Sequence, residues 1–198
     1  MNPDLAPYLE QNAIVDSGDP AVRHLARRLA ARGDTETAAA CFAYVRDEIA
    51  HSNDIETVAT PLSAPETLAA RTGLCYAKSH LLAALLRANG IPAGFGYVRL
   101  VSPATASGFC LHGFNVVRLR EFGWVRVDAR GNNARVTTTF APPGERLAYY
   151  PRREGEYFLP GNYHRPLPAV VDAYARARGL ESLLAALPDD PRARFGPM

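Results

Sequence analysis

The run from Thr72 to Gly90, Thr-Gly-Leu-Cys-Tyr-Ala-Lys-Ser-His-Leu-Leu-Ala-Ala-Leu-Leu-Arg-Ala-Asn-Gly, constrains this chain's fold more than any other part of it. The pattern predicts a helix that opens at Cys75. Gly90 supplies a left-handed stop, and Ile91-Pro92 cannot continue a helix. On a 3.6-residue wheel Ala77, Leu81, Leu85 and Ala88 stack on one face, and Leu82 and Leu86 widen it. Tyr76, His80, Ala83 and Arg87 lie opposite. A helix this apolar is the spine of a core. Cys75, in its first turn, meets unpaired backbone N–H groups and the positive end of the helix dipole, and both favour thiolate over thiol. Cys75 is therefore a candidate nucleophile. A small buried hydrophobe is the competing reading, and a nearby base would decide between them.

What surrounds this helix sets the fold class. Before it, Asp19-Pro20 reads as an N-cap followed by Pro at the first helical position, with Val22, Leu25, Ala26 and Leu29 as a stripe. A second helix starts at Asp34 or Thr35, with Ala38, Cys41, Phe42, Val45 and Ile49 on its apolar face. Ser63-Ala64-Pro65-Glu66 is a capping box opening a short helix to about Arg71. After Pro92 the period changes from 3.6 to 2. Strands are expected near 95–101, at about Phe109 to Leu119, from Trp124 to about Asp128, and over 135–140, forming an antiparallel meander. Residues 1–18 read as irregular, and 141–168, rich in Pro, Gly and Tyr, as a surface wrap. Two short helices, near 169–178 and 180–187, precede a Pro/Arg tail. Helices first and a sheet afterwards argue an α+β fold in a single domain, with its core over about 35–140 and residues 141–198 wrapping it.

Composition narrows the function classes. The 198 residues are 47% hydrophobic and 21% charged, enough to bury a sizeable core. A net charge of +2 gives no argument for nucleic acid or an anionic membrane. Of the 22 basic residues only Lys78 is a lysine, and the arginines are scattered without a cluster that would mark a binding surface. Cys41, Cys75 and Cys110 cannot all pair and lack metal-ligand spacing. No cofactor or metal site is expected, and free thiols suggest a reducing cytoplasm. No export signal or membrane-spanning run is visible.

A base and an orienting carboxylate come from the predicted sheet. If the turn after the second strand centres on Glu121, Asp128 falls opposite Phe114 and diagonal to His112 on the same face, within reach of an imidazole–carboxylate hydrogen bond. A sheet packed on the amino end of the central helix brings His112 toward Cys75. That yields nucleophile, base and carboxylate in the order Cys, His, Asp.

With that order in hand, three segments resemble the transglutaminase-like superfamily. Thr72–Ala93 resembles its cysteine segment, Leu111-His112-Gly113-Phe114-Asn115-Val116-Val117 its histidine strand, and Gly123-Trp124-Val125-Arg126-Val127-Asp128-Ala129-Arg130 its aspartate strand. The resemblance spans about residues 40–132. It implies a papain-like α+β core, a Cys75–His112–Asp128 triad, and a thioester on Cys75 resolved by an amine or by water. The substrate class implied is a peptide, a protein or a small amide. Tyr76 stands where the animal protein-crosslinking enzymes carry Trp, Phe114 where many relatives do, and no acidic calcium-site run is present, so protein crosslinking does not carry over. An arylamine-acetyltransferase-like acyltransferase and a silent binding domain are the alternatives.

Secondary candidates follow from position. The Cys75 backbone N–H is the first oxyanion donor. The second comes from His51, Ser52, Asn53 or Tyr76. Lys78 reads as solvated and His80 as a helix-edge residue. Arg130 and Asn132 read as structural and Cys110 as packed, with a resolving thiol as the lesser alternative.

Overall fold

The computed structural model describes residues 3–190, so the Pro/Arg tail from residue 191 lies outside the described residues. A 3-10 helix (Pro3–Leu9) stands within the segment expected to be irregular. Helices α1 (Pro20–Leu29), α2 (Asp34–Glu48) and α3 (Ala64–Ala70) follow, with two short strands, β1 (Ala50–His51) and β2 (Thr72–Gly73), around α3. Then come α4 (Cys75–Ala88), the long strands β3 (Ala93–Val101) and β4 (Phe109–Leu119), and β5 (Gly123–Val127). A two-residue β6 (Tyr157–Phe158) and helices α5 (Pro168–Arg176) and α6 (Leu180–Ala185) complete an α+β fold.

Side-chain caps account for the starts of α1 and α3. Asp19 accepts from the backbone N–H groups of Ala21 (2.9 Å) and Val22 (3.0 Å), and Pro20 opens α1. Ser63 and Glu66 close the expected capping box on α3. At α4 the capping position is Leu74, whose side chain accepts nothing, so the first amides of this helix stay open. At its other end Gly90 adopts φ 72°, the left-handed stop expected there.

Helix α4 runs through the centre, touching α1, α2, α3, β3 and β4. Every side chain from Tyr76 to Arg87 is buried. This corrects the expectation of a solvated Lys78 and a helix-edge His80. Both are enclosed because each polar group on α4 finds a backbone carbonyl from a surrounding segment. Lys78 Nζ donates to the Ile49 carbonyl and His80 Nδ1 to that of Leu62 (2.7 Å). Arg87 donates to the carbonyls of Ala93, His164 and Glu10. A buried charge held only by carbonyls is costly, and burial pushes Lys78 down to about 7. These contacts fasten loops that lack cores of their own.

The main sheet has the order β5-β4-β3-β6 and is antiparallel throughout. Leu111, Val117 and Leu119 of β4 join the core built on Leu81, Leu82, Leu85 and Leu86. Phe114 and Val116 turn the other way, into a smaller cluster with Val98 and Leu147. Leu147, Tyr150 and Phe158 cover this second face, while Leu159, Tyr163 and Leu167 of the same segment pack on the main core. The strand expected over 135–140 is absent apart from a bridge between Thr139 and Arg146. Its amides are taken by asparagine side chains. Asn133 Oδ1 accepts from Arg135 (2.8 Å) and Val136 (3.0 Å), and Asn132 Oδ1 from Thr138 (2.7 Å). Local turns of this kind compete directly with a ladder. The fourth strand is β6 instead, on the far edge of β3.

Leu85 is fully buried in the main core. We expect Leu85→Ala to cost about 2–5 kcal/mol, measured as a lower urea midpoint with an unchanged slope.

Candidate active site

Cys75 sits at the open end of α4, and it is only half-buried while the rest of the helix through Arg87 is enclosed. Two side chains of the same helix bracket His112 on β4. Tyr76 donates its hydroxyl to the Leu111 carbonyl, and Ser79 reaches the carbonyl of Gly113 (3.4 Å). The strand is thereby held against the first turns of α4, with Cys75 near enough to the His112 ring to raise its proton affinity.

Asp128 arrives from the other side. The β4–β5 ladder pairs Asn115 with Val127, so Asp128 follows in register opposite Phe114 and diagonal to His112. His112 Nε2–H donates to Asp128 Oδ2 at 2.8 Å, which leaves Nδ1 for the sulfur. The pair is sealed, with Asp128 1% and His112 6% exposed. The carboxylate also accepts the Arg130 backbone N–H at Oδ1 (3.1 Å) and the Ala148 N–H at Oδ2 (2.9 Å). Tyr149 packs edge-on against the imidazole, 4.9 Å between centroids. The covering segment thus completes the surroundings of this pair.

Electrostatics at the pair oppose and then reverse the effect of burial. Burial disfavours charge on His112, yet Asp128 and Cys75 together hold the imidazole well above its ordinary value. Burial would raise Asp128, but the imidazole and the two backbone donors keep it below the ordinary carboxylate value. A raised histidine stabilises the fold below its unfolded value of about 6.5 and loses that contribution as pH rises through its folded one. A depressed aspartate contributes above about 3.9 and loses it as pH falls through its lower folded value.

His51 is placed by the two-residue parallel ladder β1–β2, which pairs it with Gly73, two positions before Cys75. A Cβ at Gly73 would come within 2.8 Å of the Ala77 Cβ, so only glycine lets β2 run this close to α4. His51 Nδ1 accepts the Asn53 backbone N–H (3.3 Å), so its proton sits on Nε2. Burial, reinforced by the Arg130 charge, pushes His51 down to about 3. It is a neutral N–H donor at working pH. Ser52, by contrast, is buried with its hydroxyl on Thr72 (3.3 Å), and the Tyr76 hydroxyl is engaged at Leu111. Asn53 is exposed.

These residues line one cleft of about 940 Å³ that holds Cys75, His112, His51 and Asn53. Cys110 lines it as well. So do five arginines, which corrects the impression of a scattered basic set: Arg130, Arg135, Arg146, Arg152 and Arg153 converge here. Tyr174 of α5 carries a buried hydroxyl with no hydrogen-bond partner. Ala148, Tyr149 and Tyr174 were invisible in the sequence, because no period or motif marks them. Among the described residues no cluster of His, Cys, Asp and Glu has the makings of a metal site, and no helix is long and apolar enough to cross a membrane.

A solved structure similar in fold is that of a candidate cysteine protease from Cytophaga hutchinsonii. It is 20% identical, with a TM-score of 0.50, over 66% of this chain and 43% of that one. The periplasmic domain of TgpA from Pseudomonas aeruginosa is 24% identical, with a TM-score of 0.48, over 65% of this chain and 48% of that one. The chain thus spans under half the length of either. No curated protein matches it. The model of the transglutaminase-like superfamily matches residues 23–129, more than half of the chain. With the α+β fold and the cysteine at the head of its central helix, this match is decisive: the chain belongs to the transglutaminase-like superfamily.

Proposed function

We propose that the protein is a cysteine-dependent acyl-transfer enzyme that opens amide or peptide bonds through a thioester on Cys75. The observation carrying this reading is one cleft in which the half-buried Cys75 meets a His112 ring already bound to Asp128. The Cys75 thiolate attacks the carbonyl carbon, and the C=O electron pair moves onto oxygen. That oxyanion takes hydrogen bonds from the open Cys75 N–H and from His51 Nε2–H. The imidazolium gives its Nδ1 proton to the departing nitrogen as the C–N bond breaks, leaving a thioester and a free amine. His112 then removes a proton from the second nucleophile, which displaces the sulfur. Asp128 holds the ring and stabilises its charge throughout. Three unpaired cysteines favour a reducing compartment such as the cytoplasm.

Water is the preferred second nucleophile, because the arginines lining the cleft disfavour a protonated primary amine. Incubating the enzyme with a peptide amide and a primary amine at millimolar concentration, then weighing the products, tests the scheme. We expect a covalent adduct on Cys75 during turnover and mostly acid as product. Mostly amide product would overturn the preference for water, and absence of any Cys75 adduct with any amide would overturn the thioester.

Loss of one preorganised oxyanion donor lowers kcat by about 10²–10³. We expect that loss in His51→Ala, with KM little changed and partial recovery in His51→Gln, whose amide also donates. An equal fall in both variants through a higher KM would remove His51 from the oxyanion site.

A further inference from the structure

The cleft carries a charge out of keeping with the chain as a whole. Its lining holds five arginines against two carboxylates, Asp54 and Glu156, although the entire sequence sums to only +2. Both carboxylates are already occupied. Asp54 grips the Arg130 guanidinium and also accepts from Asn133. Glu156 accepts three backbone N–H groups, from Val101 (3.0 Å), Arg152 (2.8 Å) and Arg153 (3.0 Å). The side chains of Arg135, Arg146, Arg152 and Arg153 are exposed, and none has a carboxylate within ion-pair distance among the described residues.

This wall is built rather than draped. Arg146 is pinned through the backbone bridge to Thr139, and the backbone N–H of Arg135 is fixed by Asn133 Oδ1. The turn that presents Arg152 and Arg153 is closed by Glu156, which accepts from both backbones. The glutamate therefore shapes the turn without pairing with either guanidinium. The result is four cations on ordered backbone at the mouth of a cleft whose floor holds a cysteine. Planar guanidinium groups match carboxylates two hydrogen bonds at a time, which favours carboxylate partners over point anions.

Resting on the acyl-transfer reading, we propose that the substrate is an acidic peptide: the amide presented to Cys75 is flanked by carboxylate side chains that Arg135, Arg146, Arg152 and Arg153 bind. The same wall draws the substrate in and gives its acidic flanks a register along the cleft.

Equilibrium binding separates this from the chemistry. Cys75→Ser protein is titrated into a fluorescent pentapeptide amide with a central glutamine and two glutamates on each side, and into its counterpart with every glutamate replaced by glutamine. We expect the acidic peptide to bind about tenfold more tightly or better, from several exposed charge contacts acting together. The preference should shrink as salt rises from about 0.05 to 0.5 M. Arg146→Gln/Arg152→Gln/Arg153→Gln should abolish it while leaving the circular dichroism spectrum unchanged. Equal affinity for the two peptides, no binding of either, or a preference that survives the triple substitution would overturn the proposal. So would tighter binding of a single-stranded oligonucleotide of equal charge. None of these readings depends on turnover. A protein that binds the acidic peptide but whose wild type forms no thioester keeps the specificity and loses the proposed chemistry.

Discussion

His112→Ala is expected to lower kcat on an acidic peptide amide by a factor on the order of 10⁶, as removal of the general base does in other triads that act as a unit. In the proposed scheme the imidazole has two tasks, activating the sulfur before attack and protonating the leaving nitrogen after it. No neighbour substitutes for it. His51 is held neutral by burial and by Arg130, and its Nδ1 is occupied by the Asn53 amide. Lys78, though down at about 7, points its nitrogen at the carbonyls of Ile49 and Arg46. Burst and steady-state assays would measure the loss. Turnover within about tenfold of wild type would take His112 out of the mechanism.

Asp128→Asn carries the second largest effect, about 10⁴ in kcat by the serine-protease template. The hydrogen-bond pattern says why neither amide rotamer rescues it. One carboxylate oxygen accepts both His112 Nε2–H and the Ala148 N–H, and the other accepts the Arg130 N–H. An Asn nitrogen in the first position faces two donors and selects the wrong imidazole tautomer. In the second it faces the Arg130 amide and leaves the ring without the charge that holds it protonated. Either way a buried donor loses its acceptor, so the variant should also unfold about 1–3 kcal/mol more easily. Urea titration beside the kinetic assay separates the two effects. Near wild-type turnover in a folded Asp128→Asn protein would exclude the carboxylate from the site.

Much of this geometry was legible in the residues, for local reasons. The central helix runs from Cys75 to Ala88 because Gly90 and Pro92 end it, and β4 occupies Phe109–Leu119 because alternation and the following turn leave no other register. Placing the turn at Glu121 sufficed to set Asp128 diagonal to His112. What stayed hidden depends on non-local contacts. The β1–β2 ladder that brings His51 beside Cys75 is two residues long, too short to show a period. The Thr-rich run at 135–140 has strand propensity, but two asparagines capture its amides. The buried polar side of α4 looked like a solvent face because its acceptors are carbonyls from distant loops. The arginine wall draws on residues 130 to 153, where no two side chains except Arg152 and Arg153 are adjacent in the chain. The Ala148 amide, Tyr149 and Tyr174 come from segments with no motif at all.

The proposed chemistry needs one reactive sulfur, and limiting alkylation near pH 6 finds it. An ordinary thiol of pKa about 8.5 is under about 1% ionised there and reacts slowly. Burial pushes Cys41 up to about 12 and pushes Cys110 up as well, so both should be slower still. Cys75 faces the open amides of α4 and an imidazole whose neighbours raise its proton affinity. Iodoacetamide at limiting concentration should therefore label Cys75 first in the native protein, read by mass spectrometry, and His112→Ala should move that labelling to higher pH. Uniform labelling of the three cysteines, or a Cys75 rate that rises only above about pH 8 in the wild type, would contradict a thiolate–imidazolium pair at this site.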